Sequence, residues 1–187
     1  DYLGFIVDVP VPTPRRIGIA EAKNITQKIN TPHVCVMMPE NLAQVGEVVD
    51  ELSPNLIQLH GAESPSFIDD VKENHGVEVI KTVHVTEGLD MHYVFELAAS
   101  ADYLLLDTKT DSQVGGCGRT HDWGVSAEIS RIVDVPVILA GGLNYSNVES
   151  AISKVNPYMV DVASGVESGA GRKDPGKIRK FIEKAKR

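Results

Sequence analysis

The chain has 187 residues, 42% hydrophobic and 24% charged, with a formal net charge of −8 from 18 basic and 26 acidic side chains. This length and balance predict one globular domain over 1–187 and exclude disordered, collagen-like and coiled-coil chains. The acidic balance disfavours nucleic acid and anionic membrane as partners, and no apolar run approaches the about 20 residues that span a bilayer. Cys35 and Cys117 are too few for a disulfide framework in a chain this long. A cytoplasmic protein is expected. Residues 172–187 hold eight of the basic side chains and read as the solvated face of a last helix, with charge suited to the helix dipole.

In chain order, short β-branched runs alternate with amphipathic stretches of helix length. The pattern predicts a strand over 2–7 and a helix over 17–29, then strand 33–38 and helix 41–52, strand 56–60 and helix 65–75. It continues with strand 78–84 and helix 90–100, strand 103–107 and helix 122–133, strand 135–140 and helix 145–155, and strand 159–163 and helix 174–186. Asn41 is placed to cap its helix, and Ser64-Pro65 and Asp174-Pro175 each put Pro at a first helical position. Leu42, Val45, Val48, Val49 and Leu52 form one apolar stripe. The runs Ile57-Gln58-Leu59 and Tyr103–Leu106 suit strands covered on both faces.

A strand–helix unit that recurs about every 26 residues builds a parallel sheet. Polar motifs at nearly every strand's C-terminal end favour a closed (β/α)8 TIM barrel over an open doubly wound sheet, whose ligand groups gather at one switch point. Closure needs eight units and seven are visible. The first strand-like run, Tyr2–Val7, starts at once and no initiator Met precedes it. The simplest expectation is a further βα unit ahead of Asp1.

The strand ends carry the chemistry. Ala140-Gly141-Gly142-Leu143 and Ser164-Gly165 follow the last two strands, where barrels bind phosphate through close-approaching backbone N–H groups. They also suit plain tight turns that need positive φ. Asp107 ends a buried apolar run and is a candidate general acid or base, or else a loop cap. His60, in Gln58-Leu59-His60-Gly61, is a pocket or a structural histidine. Arg15, in Pro12-Thr13-Pro14-Arg15-Arg16, is a carboxylate clamp or a surface arginine. Gly115-Gly116-Cys117-Gly118 precedes the helix at Trp123 and suits a cover over a site, or a bare linker. No metal-ligand spacing, Walker loop, nucleophile elbow or dinucleotide fingerprint occurs.

Together these motifs resemble the phosphoribosylanthranilate isomerase family over essentially the whole chain. The matching stretches are Leu3-Gly4-Phe5 with Thr13-Pro14-Arg15, Gln58–Gly61, Leu106-Asp107-Thr108, Gly115–Trp123, Ala140–Leu143 with Asn147-Val148, and Val160–Glu167 with Gly171–Asp174. The resemblance implies a TIM-barrel isomerase of tryptophan biosynthesis that needs no cofactor and no metal. Its reaction is an Amadori rearrangement, which turns N-(5′-phosphoribosyl)anthranilate into 1-(2-carboxyphenylamino)-1-deoxyribulose 5-phosphate. It further implies Asp107 as general acid, Arg15 as the anthranilate clamp, and His60 lining the pocket. Gly141, Gly142, Ser164 and Gly165 would cradle the phosphate, and Asp161 would orient neighbouring polar groups. The partner is this small phosphosugar-anthranilate, and the protein would be a monomer or homodimer. The family's general base is a Cys on a first strand with no counterpart here, and neither Cys35 nor Cys117 matches its place. A phosphosugar-binding barrel without catalysis, or another phosphate-binding barrel enzyme, is the alternative. An aldolase would need a Schiff-base lysine, for which Lys81 and Lys109 are the nearby candidates.

Overall fold

The computed structural model describes residues 1–108 and 120–186. Strand and helix alternate as β1 (Leu3–Asp8), α1 (Ile19–Thr26), β2 (His33–Met37), α2 (Leu42–Leu52), β3 (Leu56–Leu59), α3 (Pro65–His75), β4 (Glu78–Val85) and α4 (Met91–Ser100). They continue as β5 (Tyr103–Thr108), α5 (Trp123–Ile132), β6 (Val137–Leu139), α6 (Val148–Val155) and β7 (Met159–Val160). After β7 come β8 (Glu167–Gly169), β9 (Arg172–Lys173) and α7 (Pro175–Ala185). Strands β1 to β7 lie in one sheet in unbroken chain order. The pairings β1–β2, β2–β3, β3–β4, β5–β6 and β6–β7 are parallel. A doubly wound sheet reverses its strand order at a switch point, whereas chain order throughout is that of the (β/α) barrel class. Among the described residues no helix is long and apolar enough to cross a membrane.

The chain divides into two compact units. The first comprises Asp1–Thr82 and Phe95–Tyr103. Its register sets Phe5 beside Cys35, Cys35 beside Ile57, and Leu59 beside Lys81. Cys35, Met37, Ile57, Leu59 and Val79 are out of water, and so are Val45 and Val48 of α2 and Ile68 and Val71 of α3. Burying each large side chain is worth about 1.5–3 kcal/mol against leaving it exposed. The helix ends follow the sequence signals. Asn41 Oδ1 accepts the Gln44 N–H at 3.1 Å, and Ser64 Oγ accepts that of Phe67 at 3.2 Å with Pro65 in the first turn. Asp102 joins three parts of the unit, accepting from the Val79 N–H at 2.8 Å and from Lys72 Nζ at 2.9 Å.

The second unit comprises Val83–Val94 and Leu104–Arg187. Leu104, Leu105 and Leu106 lie beside Val137, Ile138 and Leu139, covered by Ile129 of α5 and by Val148, Ala151 and Val155 of α6. Several expected elements are shorter than their sequence pattern, α1 (Ile19–Thr26 against 17–29) and β6 (Val137–Leu139 against 135–140) among them, and two have a visible cause. Helix α6 begins at Val148 rather than 145 because Asn144–Asn147 form a side-chain-bonded turn. There Asn147 Oδ1 accepts the Asn144 N–H at 2.8 Å, and Asn144 Oδ1 accepts that of Ser146 at 2.8 Å. Strand β7 stops at Val160. Ser164–Val166 turn as a 3-10 helix instead, and β8 and β9 form an unforeseen antiparallel pair. The buried Glu167 organises that pair, accepting from the Gly171 N–H at 3.2 Å and from Lys173 Nζ at 3.1 Å. The glycine-rich cover expected around Gly115–Gly118, with Cys117 and Lys109, lies outside the described residues.

Candidate active site

In the first unit the end of β1 runs into the prolyl loop. Ile17 N–H donates to Ile6 O at 3.0 Å, which returns the loop to its strand. Arg15 is half-buried in this loop, and its own N–H donates to Thr13 Oγ1 at 3.3 Å. At the end of β3, His60 is half-buried above Gln58. Residues two apart on a strand share a face, and Gln58 Nε2 lies 3.2 Å from His60 Nδ1. Thr82 Oγ1 of the neighbouring strand is 3.2 Å from both atoms. With the amide nitrogen donating, Nδ1 is the acceptor and the ring proton sits on Nε2. That fixes both the orientation and the tautomer of His60.

In the second unit Asp107 is half-buried near the end of β5. Burial raises its carboxyl above the usual carboxylate range. The Thr108 N–H, His84 and His121 each pull it back. The Thr108 N–H donates to Asp107 Oδ1 at 2.7 Å, the contact expected of a loop cap. Asp161, past the end of β7, is also raised, by burial and then by repulsion from Asp107, with Lys173 opposing. Asp161 keeps an exposed surface, so water damps that shift.

The glycine loops have sharper reasons than chain reversal. Gly141 sits at φ 80° and Gly142 at φ 67°. A Cβ on Gly141 would fall 2.3 Å from Thr108 Oγ1 and 2.9 Å from Asp107 Oδ1. The missing side chain makes room for Asp107 itself. Gly142 O accepts from Asn147 Nδ2 at 3.1 Å, which holds the loop open. A Cβ on Gly165 would fall 1.8 Å from Leu143 O, so the Ser164–Gly165 turn packs directly on the β6 loop. The unit thus brings together Asp107, Gly141, Gly142, Ser164 and Gly165, with Asp161 electrostatically coupled to Asp107. Arg15 and His60 belong to the first unit.

The cysteine in the described residues is a poor base. Cys35 is wholly buried in the middle of β2, and burial pushes its thiol up to about 12.

The sequence matches the family described as N-(5'phosphoribosyl)anthranilate (PRA) isomerase over residues 1–184. The chain belongs to the N-(5'-phosphoribosyl)anthranilate isomerase family. It is 42% identical to the N-(5'-phosphoribosyl)anthranilate isomerase of Methanocella arvoryzae, over 100% of this chain and 88% of that protein. It superposes at TM-score 0.85 and 33% identity on monomers of the dimeric phosphoribosylanthranilate isomerase of Thermotoga maritima, covering 100% of this chain and 87% of that one. A further phosphoribosylanthranilate isomerase, solved in complex with reduced 1-(o-carboxyphenylamino)-1-deoxyribulose 5-phosphate, matches at TM-score 0.84 and 31% identity, again over 100% and 87%.

Some groups beside the candidate residues escaped the sequence reading. His84 and His121 act on Asp107, yet each looked like one scattered histidine among six. Thr82, beside His60, carried a signal only in its strand position, where a polar residue interrupts the buried run Val79–Val85, and Lys81 was singled out as a Schiff-base candidate rather than for its ion pair.

Proposed function

We propose that this chain catalyses the Amadori rearrangement of N-(5'-phosphoribosyl)anthranilate to 1-(2-carboxyphenylamino)-1-deoxyribulose 5-phosphate, with Asp107 as general acid. The family to which the chain belongs supports the reaction. The observation that carries the mechanism is Asp107 itself, a strand-end carboxyl that burial pushes toward holding its proton. Asp107 gives that proton to the ribose ring oxygen. The C1–O bond breaks as the anthranilate nitrogen lone pair forms the Schiff base. A base then takes the C2 proton, and the resulting enolamine tautomerises to the ketone. The proton that Asp107 gives balances the one that the base removes, so the product is an isomer of the substrate and no redox partner is consumed.

Arg15 clamps the anthranilate carboxylate in this reading, and His60 lines the pocket in its Gln58-fixed tautomer. Gly141, Gly142, Ser164 and Gly165 border the phosphate, and Asp161 orients polar groups beside Asp107. We place the general base, a Cys, on a βα unit ahead of Asp1. Cys35 is unsuited by burial, and the relatives are somewhat longer than this chain. The protein works in the cytoplasm, as one catalytic domain, and as a monomer or homodimer. An aldolase reading loses its described lysine, because Lys81 is committed to a buried ion pair.

The test is turnover of freshly made N-(5'-phosphoribosyl)anthranilate, followed by loss of anthranilate-type fluorescence. The natural full-length protein should convert it without added metal or cofactor. Residues 1–187 alone should turn it over far more slowly. No conversion by the full-length protein contradicts the function. Full activity of residues 1–187 contradicts the placement of the base.

A further inference from the structure

Helix α5 reaches back to Asp107 through a chain of hydrogen-bonding groups, all within the second unit. Ser126 of α5 is wholly buried, and its Oγ lies 2.5 Å from His121 Nε2. His121 Nδ1 lies 3.0 Å from Thr108 Oγ1, and the His121 N–H donates to that same oxygen at 3.1 Å. Thr108 in turn donates its N–H to Asp107 Oδ1 at 2.7 Å. A neutral imidazole offers one donor and one acceptor, and either hydroxyl can take either role, so the chain is satisfied without a charge. Burial holds His121 below the usual imidazole range, which favours that neutral ring. Gly141 opposite leaves the space that Thr108 Oγ1 and Asp107 Oδ1 occupy.

We propose that His121 is a positioning residue for Asp107: by tying Thr108 to α5 it fixes the peptide N–H that aims the Asp107 carboxyl. This rests on the reading of Asp107 as general acid. Both ring nitrogens of His121 are engaged, by Thr108 and Ser126, so the imidazole holds geometry rather than moving the substrate's protons. The coupling is tight because it passes through one residue. A carboxyl free to turn about its own torsions loses the alignment that proton donation needs, and a displacement of about 1 Å can cost about 10²-fold in rate. Among the described residues of this unit, His84 of β4 and Asp161 also act on Asp107 through charge, and Lys173 acts on Asp161 in the same way.

The experiment compares His121→Phe, His121→Asn, Thr108→Val and Asp107→Asn in the full-length enzyme, by kcat, KM and the pH profile of kcat. His121→Phe keeps a ring and removes both ring hydrogen bonds. We expect its kcat to fall about tenfold to hundredfold with KM little changed. The alkaline limb of kcat, where Asp107 loses its proton, should move to higher pH, because Thr108, then held only by the backbone N–H of residue 121, aims its own N–H less firmly at the carboxylate. Thr108→Val removes the shared hydroxyl and should move the limb the same way, which serves if the Phe variant fails to fold. His121→Asn keeps a polar group toward Thr108 and should recover most of the turnover. Wild-type kcat and an unmoved limb in both His121→Phe and Thr108→Val, with Asp107→Asn inactive, overturn this proposal alone. A lower kcat with an unmoved limb in both His121→Phe and Thr108→Val also overturns it, as a merely structural role. Near-normal turnover in Asp107→Asn overturns the reading on which it rests.

Discussion

Lys81 Nζ lies 2.6 Å from Glu63 Oε2, with both side chains almost entirely out of water. The same ammonium donates to Gly61 O at 2.6 Å and Leu59 O at 3.4 Å, and Glu63 Oε1 accepts the Gly61 N–H at 3.0 Å. The pair therefore closes the loop that follows His60 and holds it against β4. Desolvation lowers Lys81, and Glu63 opposes that shift by its charge and its hydrogen bond. All three ammonium protons have acceptors, so the amine has no free lone pair to attack a carbonyl.

Removing one partner of such a pair leaves a buried, uncompensated charge. Lys81→Met should destabilise the protein by about 3–5 kcal/mol in urea unfolding. The double replacement Lys81→Met with Glu63→Gln should regain most of that loss, since Gln can still accept the Gly61 N–H. Equal stability of the single and double variants would show that the two residues are not coupled.

Gly141→Ala should damage catalysis more than folding. The new Cβ would meet Thr108 and Asp107 in a backbone conformation that L-residues rarely adopt. We expect a loss of about 10²-fold or more in kcat. A Gly141→Ala enzyme with normal kcat but weaker inhibition by inorganic phosphate would instead place this glycine at the phosphate alone.

Arg15→Met keeps the bulk and removes the guanidinium donors. For a charge-assisted pair to a carboxylate the expected cost is about 1.5–3 kcal/mol in kcat/KM. The loss should largely vanish with a substrate analogue that lacks the anthranilate carboxylate. An unchanged kcat/KM for the natural substrate would assign the carboxylate to another group.

Asp107 also links stability to pH. Its folded-state carboxyl binds a proton more tightly than in the unfolded chain, chiefly through burial. Its stabilising contribution is present at acid pH and is lost as pH rises from the ordinary aspartate range through the raised value. Asp107→Asn should therefore be more stable than wild type at neutral pH, and the difference should shrink toward acid pH. Removing the Asp107 charge also relieves the repulsion that helps raise Asp161, so the difference in urea midpoints reports this coupled pair. A difference that grows on acidification would reverse the sign of the shift.

What the sequence made legible is what local chemistry determines. Asn41 caps its helix as expected, and Pro65 and Pro175 stand in the first turns of theirs as expected, behind the capping side chains of Ser64 and Asp174. His60 and Asp107 stand at strand ends because continuous apolar runs stop there. The remainder depends on register and packing. Glu63 and Lys81 lie 18 residues apart and meet only because Leu59 pairs with Lys81 across β3 and β4. His121 reaches Ser126 because it lies outside α5, two residues before its first turn. Gly141 was expected at the phosphate, and packing adds a reason that the sequence did not show, since a Cβ there would meet Thr108 and then Asp107. The expected strand over 159–163 stops at Val160, and the chain then turns at Ser164, where the 3-10 turn packs on Leu143 and the buried Glu167 recruits Lys173.

The most direct test of the account is the turnover of Asp107→Asn in the full-length enzyme with N-(5'-phosphoribosyl)anthranilate. The Asn side chain keeps size and shape but cannot donate the proton that opens the ribose ring. The account predicts a kcat lower by about 10²–10⁴-fold with KM little changed, because proton transfer is made only in the transition state. A variant that turns over at near the wild-type rate would remove Asp107 from the chemistry and contradict the mechanism.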